Sequence, residues 1–210
     1  KPGEDPALTG ALSGPVMTDP ELFSQNNATA AIAGGGPPVI ELPPAEASPE
    51  AIAGAKADAE RAVGRKIESA PSPAGAGDAK LRDAVTAAQL ASAVKGPGSD
   101  CGGKADYEFG WSTRLPAHTP IYPRGHLVES AGTDRDGCRL RVAGFLTPVE
   151  ANDVADFYYT RAKAAGYTTE RHQSGEVQVL SGGKAKAAFA VRIRRQDDGI
   201  SRVDIVANGG

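Results

Sequence analysis

Lys184-Ala185-Lys186-Ala187-Ala188-Phe189-Ala190-Val191-Arg192-Ile193-Arg194-Arg195 is the stretch that decides the fold. Ala187, Phe189, Val191 and Ile193 fall on one side of it at a period of two, and Lys184, Lys186, Arg192 and Arg194 fall on the other. Such alternation belongs to a strand with one apolar and one polar face. Neighbouring segments obey the same rule: residues 126–132, 138–146, 167–172, 176–181 and 200–207 read as strands, and Cys138, Leu140 and Val142 share one face. Asp134-Arg135-Asp136-Gly137, Ser174-Gly175, Gly182-Gly183 and Asp198-Gly199 separate them as turns.

Between the second and third strands, Thr147-Pro148-Val149-Glu150 has the form of a capping box with proline at the first helical position. Gly166 supplies the stop and Lys163 suits the last turn. Ala151, Val154, Tyr158, Ala162 and Ala165 share one face of this helix. The expected order is therefore ββαββββ: an α+β fold, mostly antiparallel, with one helix packed on the sheet. Pro116, Pro120 and Pro123 keep the approach extended, so residues 115–123 read as a loop held on the core by Ile121 and Tyr122.

The chain's first half differs in kind. Of eleven aromatic residues only Phe23 precedes residue 101, whereas twelve of the sixteen prolines do. Residues 1–99 thus read as an Ala/Pro/Gly-rich leader with too little apolar area to fold alone, and residues 100–210 as the folded domain. Within the leader, Asp5-Pro6 and Asp19-Pro20 each place a cap before a proline and open short helices, and residues 34–47 read as a linker. Ser48-Pro49-Glu50 opens a helix to about residue 69, and Asp78 another to about residue 94. Such helices are marginal in isolation and need the domain or a partner.

Residues 1–100 carry 8 Lys/Arg against 13 Asp/Glu, and residues 101–210 carry 15 against 13. With no long basic run, nucleic-acid binding is not expected. No apolar stretch has the length of a membrane span, so the chain as given reads as soluble, with an N-terminal membrane tether compatible with it. It starts at Lys1 without a signal-peptide pattern, which reads as a processed N-terminus. Cys101 and Cys138 lack metal-ligand spacing and form no C-x-x-C, so they read as a structural disulfide in the periplasm or outside the cell. Two buried free thiols are the alternative.

Pro120-Ile121-Tyr122-Pro123, then Thr147-Pro148, Val154, Phe157-Tyr158 and Ala165-Gly166-Tyr167, together with the Asp-Pro-x-Leu leader, resemble small envelope proteins and lipoproteins of high-GC Gram-negative bacteria. The resemblance implies a periplasmic, outer-membrane-associated or extracellular location. Its motifs are packing motifs, so it implies no activity.

Chemistry is sparse. Hydrolase, zinc-protease, P-loop and dinucleotide signatures are absent, and Ser181-Gly182-Gly183-Lys184 reads as a hairpin turn rather than a phosphate loop. His118, His126 and His172 are scattered without ligand spacing, so no metal, cofactor or catalytic residue is expected. Strand alternation places Arg139, Arg141, Lys184, Lys186, Arg192, Arg194 and Arg202 on an outward basic face, which suits an anionic lipid, glycan or partner segment, or simply a solvated surface. Phe23, Phe157 and Tyr159 are the candidate partner contacts, because one helix face cannot bury all of Phe157-Tyr158-Tyr159. The expected role is a non-catalytic extracytoplasmic accessory protein of a larger assembly, its leader wrapping a partner, lying on its own basic face or serving as a tether; an anionic-ligand module is the alternative.

Overall fold

The computed structural model describes residues 47–84, 87–94 and 99–209. The expected leader helices at Asp5 and Asp19, the linker before residue 47 and Phe23 lie outside the described residues. The fold is α+β, built on an antiparallel seven-stranded sheet in the order β1-β2-β3-β7-β6-β5-β4. Its strands are β1 (Asp106–Tyr107), β2 (His126–Thr133), β3 (Leu140–Thr147), β4 (Thr168–Ser174), β5 (Val177–Lys184), β6 (Ala187–Arg195) and β7 (Ser201–Asn208). The helices are α1 (Pro49–Val63), α2 (Ala79–Asp83), α3 (Ala87–Ala93) and α4 (Ala151–Ala164), with 3₁₀ turns at Ser99–Lys104 and Phe109–Arg114. No described helix is long and apolar enough to cross a membrane.

The ββαββββ order stands, with the two-residue β1 added at the edge of β2 through Asp106↔Gly132 and Tyr107↔Ala131. Strand parity sends Phe145, Phe189, Val191, Ile193, Val203 and Ile205 to the first face, where they pack on Val154, Phe157 and Tyr158 of α4. Leu140, Val142, Val179, Ala188, Ala190 and Val206 point to the second face.

That second face is not solvated. Ala55 and Ala59 of α1 join the first-face core, and Leu90, Ala91 and Val94 join the second-face core with Cys101 and Cys138. The change in composition near residue 100 is therefore not a packing boundary: thin alanine stripes suffice for helices that close on a sheet already rich in Val, Ile and Phe. Between α1 and α2 the chain forms a strap. Glu68 N donates to Thr160 Oγ1 (2.9 Å) and Ala70 N to Asp156 Oδ1 (2.8 Å), crossing α4. Ala74 N then donates to Arg171 O and Gln173 N to Gly75 O, which closes the open edge of β4 before the chain turns onto the second face.

Helix ends follow their caps. Ser48 Oγ accepts from Ala51 N with Pro49 at the first helical position, but α1 stops at left-handed Gly64, short of the expected residue 69. The helix expected from Asp78 to about residue 94 is interrupted, because Ala84 adopts an extended conformation after α2. No capping box forms at Thr147; that residue is the last of β3 and α4 begins at Ala151. Gly166, at φ 80°, does end α4, with Tyr167 N reaching Ala162 O.

Gly182-Gly183 is not a turn. Both residues lie inside β5, paired with Phe189 and Ala188, and the reversal falls at Ala185, whose φ is 52°. A Cβ on Gly182 would sit 2.5 Å from the Phe189 ring, so the glycine is there to admit an aromatic side chain.

Candidate binding groove

Cys101 and Cys138 are joined by a disulfide, which fixes the start of the sheet unit to the turn before β3. Beside Cys138, the 3₁₀ turn Phe109–Arg114 and the loop after it leave a groove of about 840 Å³ at the end of the sheet where β3 starts and β7 finishes. Arg114, Arg139 and Arg141 line it, and Asp134 is the one carboxylate in the lining among the described residues.

Each wall has a mechanical basis. Arg141, on the first face of β3, donates through Nη2 to both Asp134 oxygens (2.7 and 3.0 Å) and through Nη1 to Leu140 O. Its guanidinium and that of Arg114 both lie 4.8 Å from the Trp111 ring centroid, so one indole orients two cations. Trp111 fits because position 132 is glycine; a Cβ there would be 2.7 Å from the ring. Arg139 is exposed, and its carbonyl accepts from Gly209 N at the end of β7.

His118 forms the floor. Its ring stacks on Tyr167 (centroids 4.3 Å apart) and meets Phe189 edge-on at 5.4 Å. Burial, together with Arg161 and Lys184, lowers its pKa to about 4, so the ring is neutral. Lys184 stands nearby, with Nζ 2.6 Å from Ala165 O and 6.0 Å from the Tyr167 ring centroid. The Lys186 backbone lies against Gly209 on the same rim.

The seven cations expected on one outward face thus divide. Arg139, Arg141, Lys184 and Lys186 gather around this end of the sheet, whereas Arg192, Arg194 and Arg202 project from the second face. Lys184 and Lys186 leave the expected register because the turn shifts to Ala185. Arg192 is 5 % exposed, beneath α2, with Nη1 donating to Ala84 O. Arg202 is held by Asp204 Oδ1 (2.8 Å) and Glu129 Oε1 (2.5 Å). Gly144 makes room for this cluster, since a Cβ would lie 2.6 Å from Arg202 Nη2. Of these three only Arg194 is exposed.

Phe157 is wholly buried, edge-on to Tyr122 and Tyr158, and is core rather than contact; Tyr159 is partly buried beside it. The extra cover comes from α1, which packs on α4 and encloses rings that one sheet face would not. Exposed aromatic surface lies instead at Tyr107 (38 %) and Phe109 (62 %). Arg114, Asp134 and Tyr167 carried no sequence signal for the groove, because three separate loops and strand ends bring them together. Among the described residues no group of three or more His, Cys, Asp or Glu is placed to hold a metal ion. No protein-family model, curated protein or solved structure matches this chain.

Proposed function

We propose that this protein is a non-catalytic extracytoplasmic binding module that takes an anionic group, such as the phosphate or carboxylate of an envelope lipid or glycan, in the Arg114/Arg139/Arg141 groove. The observation that supports it is the charge balance of the lining: among the described residues, three guanidiniums and a neutral histidine surround a concave space in which Asp134 is the one carboxylate. Guanidinium forks suit phosphate and carboxylate oxygens, and concave walls of low dielectric strengthen the attraction. The volume lies within the range of small-ligand sites. The disulfide is compatible with an oxidising compartment.

The test is co-sedimentation of the full chain with phosphatidylglycerol vesicles, and titration with an acidic oligosaccharide. Binding to either should weaken with salt and fall about tenfold or more in Arg114→Glu/Arg139→Glu. Equal binding by phosphatidylcholine vesicles and a neutral oligosaccharide, or an unaffected double variant, would reject the groove.

A protein partner is the second role the surface supports, as an accessory subunit of an envelope assembly. Phe109 favours it, because a ring this exposed beside the short edge strand β1 is unusual unless covered. Affinity purification from native membranes should then yield a stoichiometric partner that Phe109→Ser loses. Recovery of the chain alone in low salt would count against it.

A further inference from the structure

His118 has a second space on its other side. It lines the groove and also a smaller space of about 320 Å³ between the end of α1 and the last turns of α4. Its neighbours divide in the same way: Pro116 and Tyr167 line the groove, and Ala117 and Ala165 line the smaller space. The ring between them is neutral, because burial and the nearby cations hold its pKa at about 4, so this wall carries no charge of its own.

Arg161 and Arg65 supply the charge of the smaller space. The Arg161 guanidinium is fixed by carbonyls: Nε and Nη2 donate to Ala117 O, and Nη1 donates to Ala62 O at 3.0 Å. That clamp leaves one N–H on each terminal nitrogen, and among the described residues no carboxylate pairs with Arg161. Burial lowers its pKa, as expected of a cation short of compensating charge. Arg65 Nη2 donates to Thr160 O at 3.0 Å, and its nearest carboxylate, Glu68 at 3.9 Å, is held more closely by Lys163, at 2.5 Å. This corner therefore sets Arg65, Arg161 and Lys163 against Glu68.

A single phosphate or carboxylate satisfies the guanidiniums of the groove and leaves Arg161 as it was. Two cationic spaces on either side of one uncharged side chain suit a ligand that repeats its acid group along a chain, because the second group then binds at high effective concentration. We infer that the groove and the space behind His118 together bind an acidic oligosaccharide, with one acid-bearing unit on the Arg114/Arg139/Arg141 side and a later one against Arg161. This rests on the anion-binding reading of the groove and narrows it from one anionic group to a chain of them.

The test is isothermal titration calorimetry of the full chain at low salt with galacturonic acid and with trigalacturonic acid. The trimer should bind about tenfold or more tightly than the monomer, above the roughly threefold gain that three equivalent acid groups give by number alone. Arg161→Gln should leave monomer binding in place and reduce the trimer to that statistical gain. Because Arg161 also clamps Ala117 and Ala62, a second variant keeps its side chain. Ala164 is exposed on α4 and lines the same space, so Ala164→Glu sets a carboxylate three residues from Arg161 and should remove the trimer's gain equally. Arg114→Glu/Arg139→Glu should weaken both ligands. A trimer gain no larger than the statistical one, or a full gain retained in either Arg161→Gln or Ala164→Glu, would overturn the second space while leaving the groove, where galacturonic acid still binds. Binding of neither ligand would reject the groove and the second space together.

Discussion

Arg192 on β6 and Asp204 on β7 face each other across the strand ladder, Nη1 to Oδ2 3.6 Å, with side chains only 7 % and 14 % exposed. The same carboxylate also receives Arg202 Nε at 2.8 Å, and Glu129 takes the other end of that guanidinium. Burial lowers the Arg192 pKa, with Asp204 opposing the fall. Burial also works against the charge on Arg202, but Asp204 and Glu129 outweigh it. Asp204 is thus the shared counter-charge of two arginines, of which Arg192 lies beneath α2.

Replacing Asp204 by Ala should therefore be among the most damaging single changes in the sheet. It strands one guanidinium beneath α2 and leaves the other with Glu129 alone, a loss expected at about 3–5 kcal/mol. Urea unfolding of the variant measures it. A loss under about 1 kcal/mol would show that water reaches the arginines and that α2 does not seal them.

The disulfide joins residues 37 apart in sequence and ties the 3₁₀ turn Ser99–Lys104 to the turn before β3. Closing a loop of that length should contribute about 4 kcal/mol on the chain-entropy account. Cys101→Ser/Cys138→Ser should lower stability by about 2–4 kcal/mol, and dithiothreitol should do the same to the native chain but not to the variant. Reduction without effect on the urea midpoint would mean that α3 and β1 hold this corner unaided.

Thr160 pins the strap to α4. Its hydroxyl accepts from Glu68 N and donates to Asp156 O (2.7 Å), while its carbonyl accepts from Arg65 Nη2 (3.0 Å). Thr160→Val keeps the shape and removes the hydroxyl, leaving Glu68 N without its acceptor. A cost of about 1–2 kcal/mol is expected. Hydrogen exchange should show faster exchange at Glu68 than in the native chain while the β6–β7 amides change only with global stability. Unchanged protection at Glu68 would indicate that Lys163–Glu68 and the β4-edge bonds suffice to hold the strap.

Sequence legibility tracks how local each determinant is. Phe189, Val191 and Ile193 alternate because sheet faces do, so strands, their antiparallel sense and the stop at Gly166 were readable. Gly182-Gly183 misled because glycine marks both a turn and a close approach, and only the Phe189 ring across the ladder distinguishes the two. The helices α1 to α3 were readable as helices, but alanine stripes do not say which surface they will meet. The candidate groove depends on meetings that are just as distant in sequence. Arg114, Asp134 and Arg139 converge from different loops and strand ends. The basic face had the right residue types, yet periodicity said nothing of the carboxylates at 129 and 204 that neutralise Arg202 and Arg192.

His118 supplies a pH test of the fold around the groove. Its imidazole is stacked between Tyr167 and Phe189, and burial with Arg161 and Lys184 nearby depresses its pKa from 6.5 to about 4. In the unfolded chain the ring protonates near the ordinary value, so between about pH 6.5 and 4 the unfolded state binds more protons than the native one. Stability must then decline as pH falls through that window, and this group adds nothing further outside it. The size is about 1–2 kcal/mol once partial solvent screening is allowed for. His118→Phe preserves a ring for the stack and removes the titration, so its stability should fall less than the native chain's from pH 7 to pH 4. Subtracting the two curves isolates His118 from the carboxylates, Glu129 among them, whose burial raises its pKa against the pull of Arg202. Parallel curves would mean that the ring protonates in place, open to solvent through the groove, and that the groove floor is wetter than its packing implies.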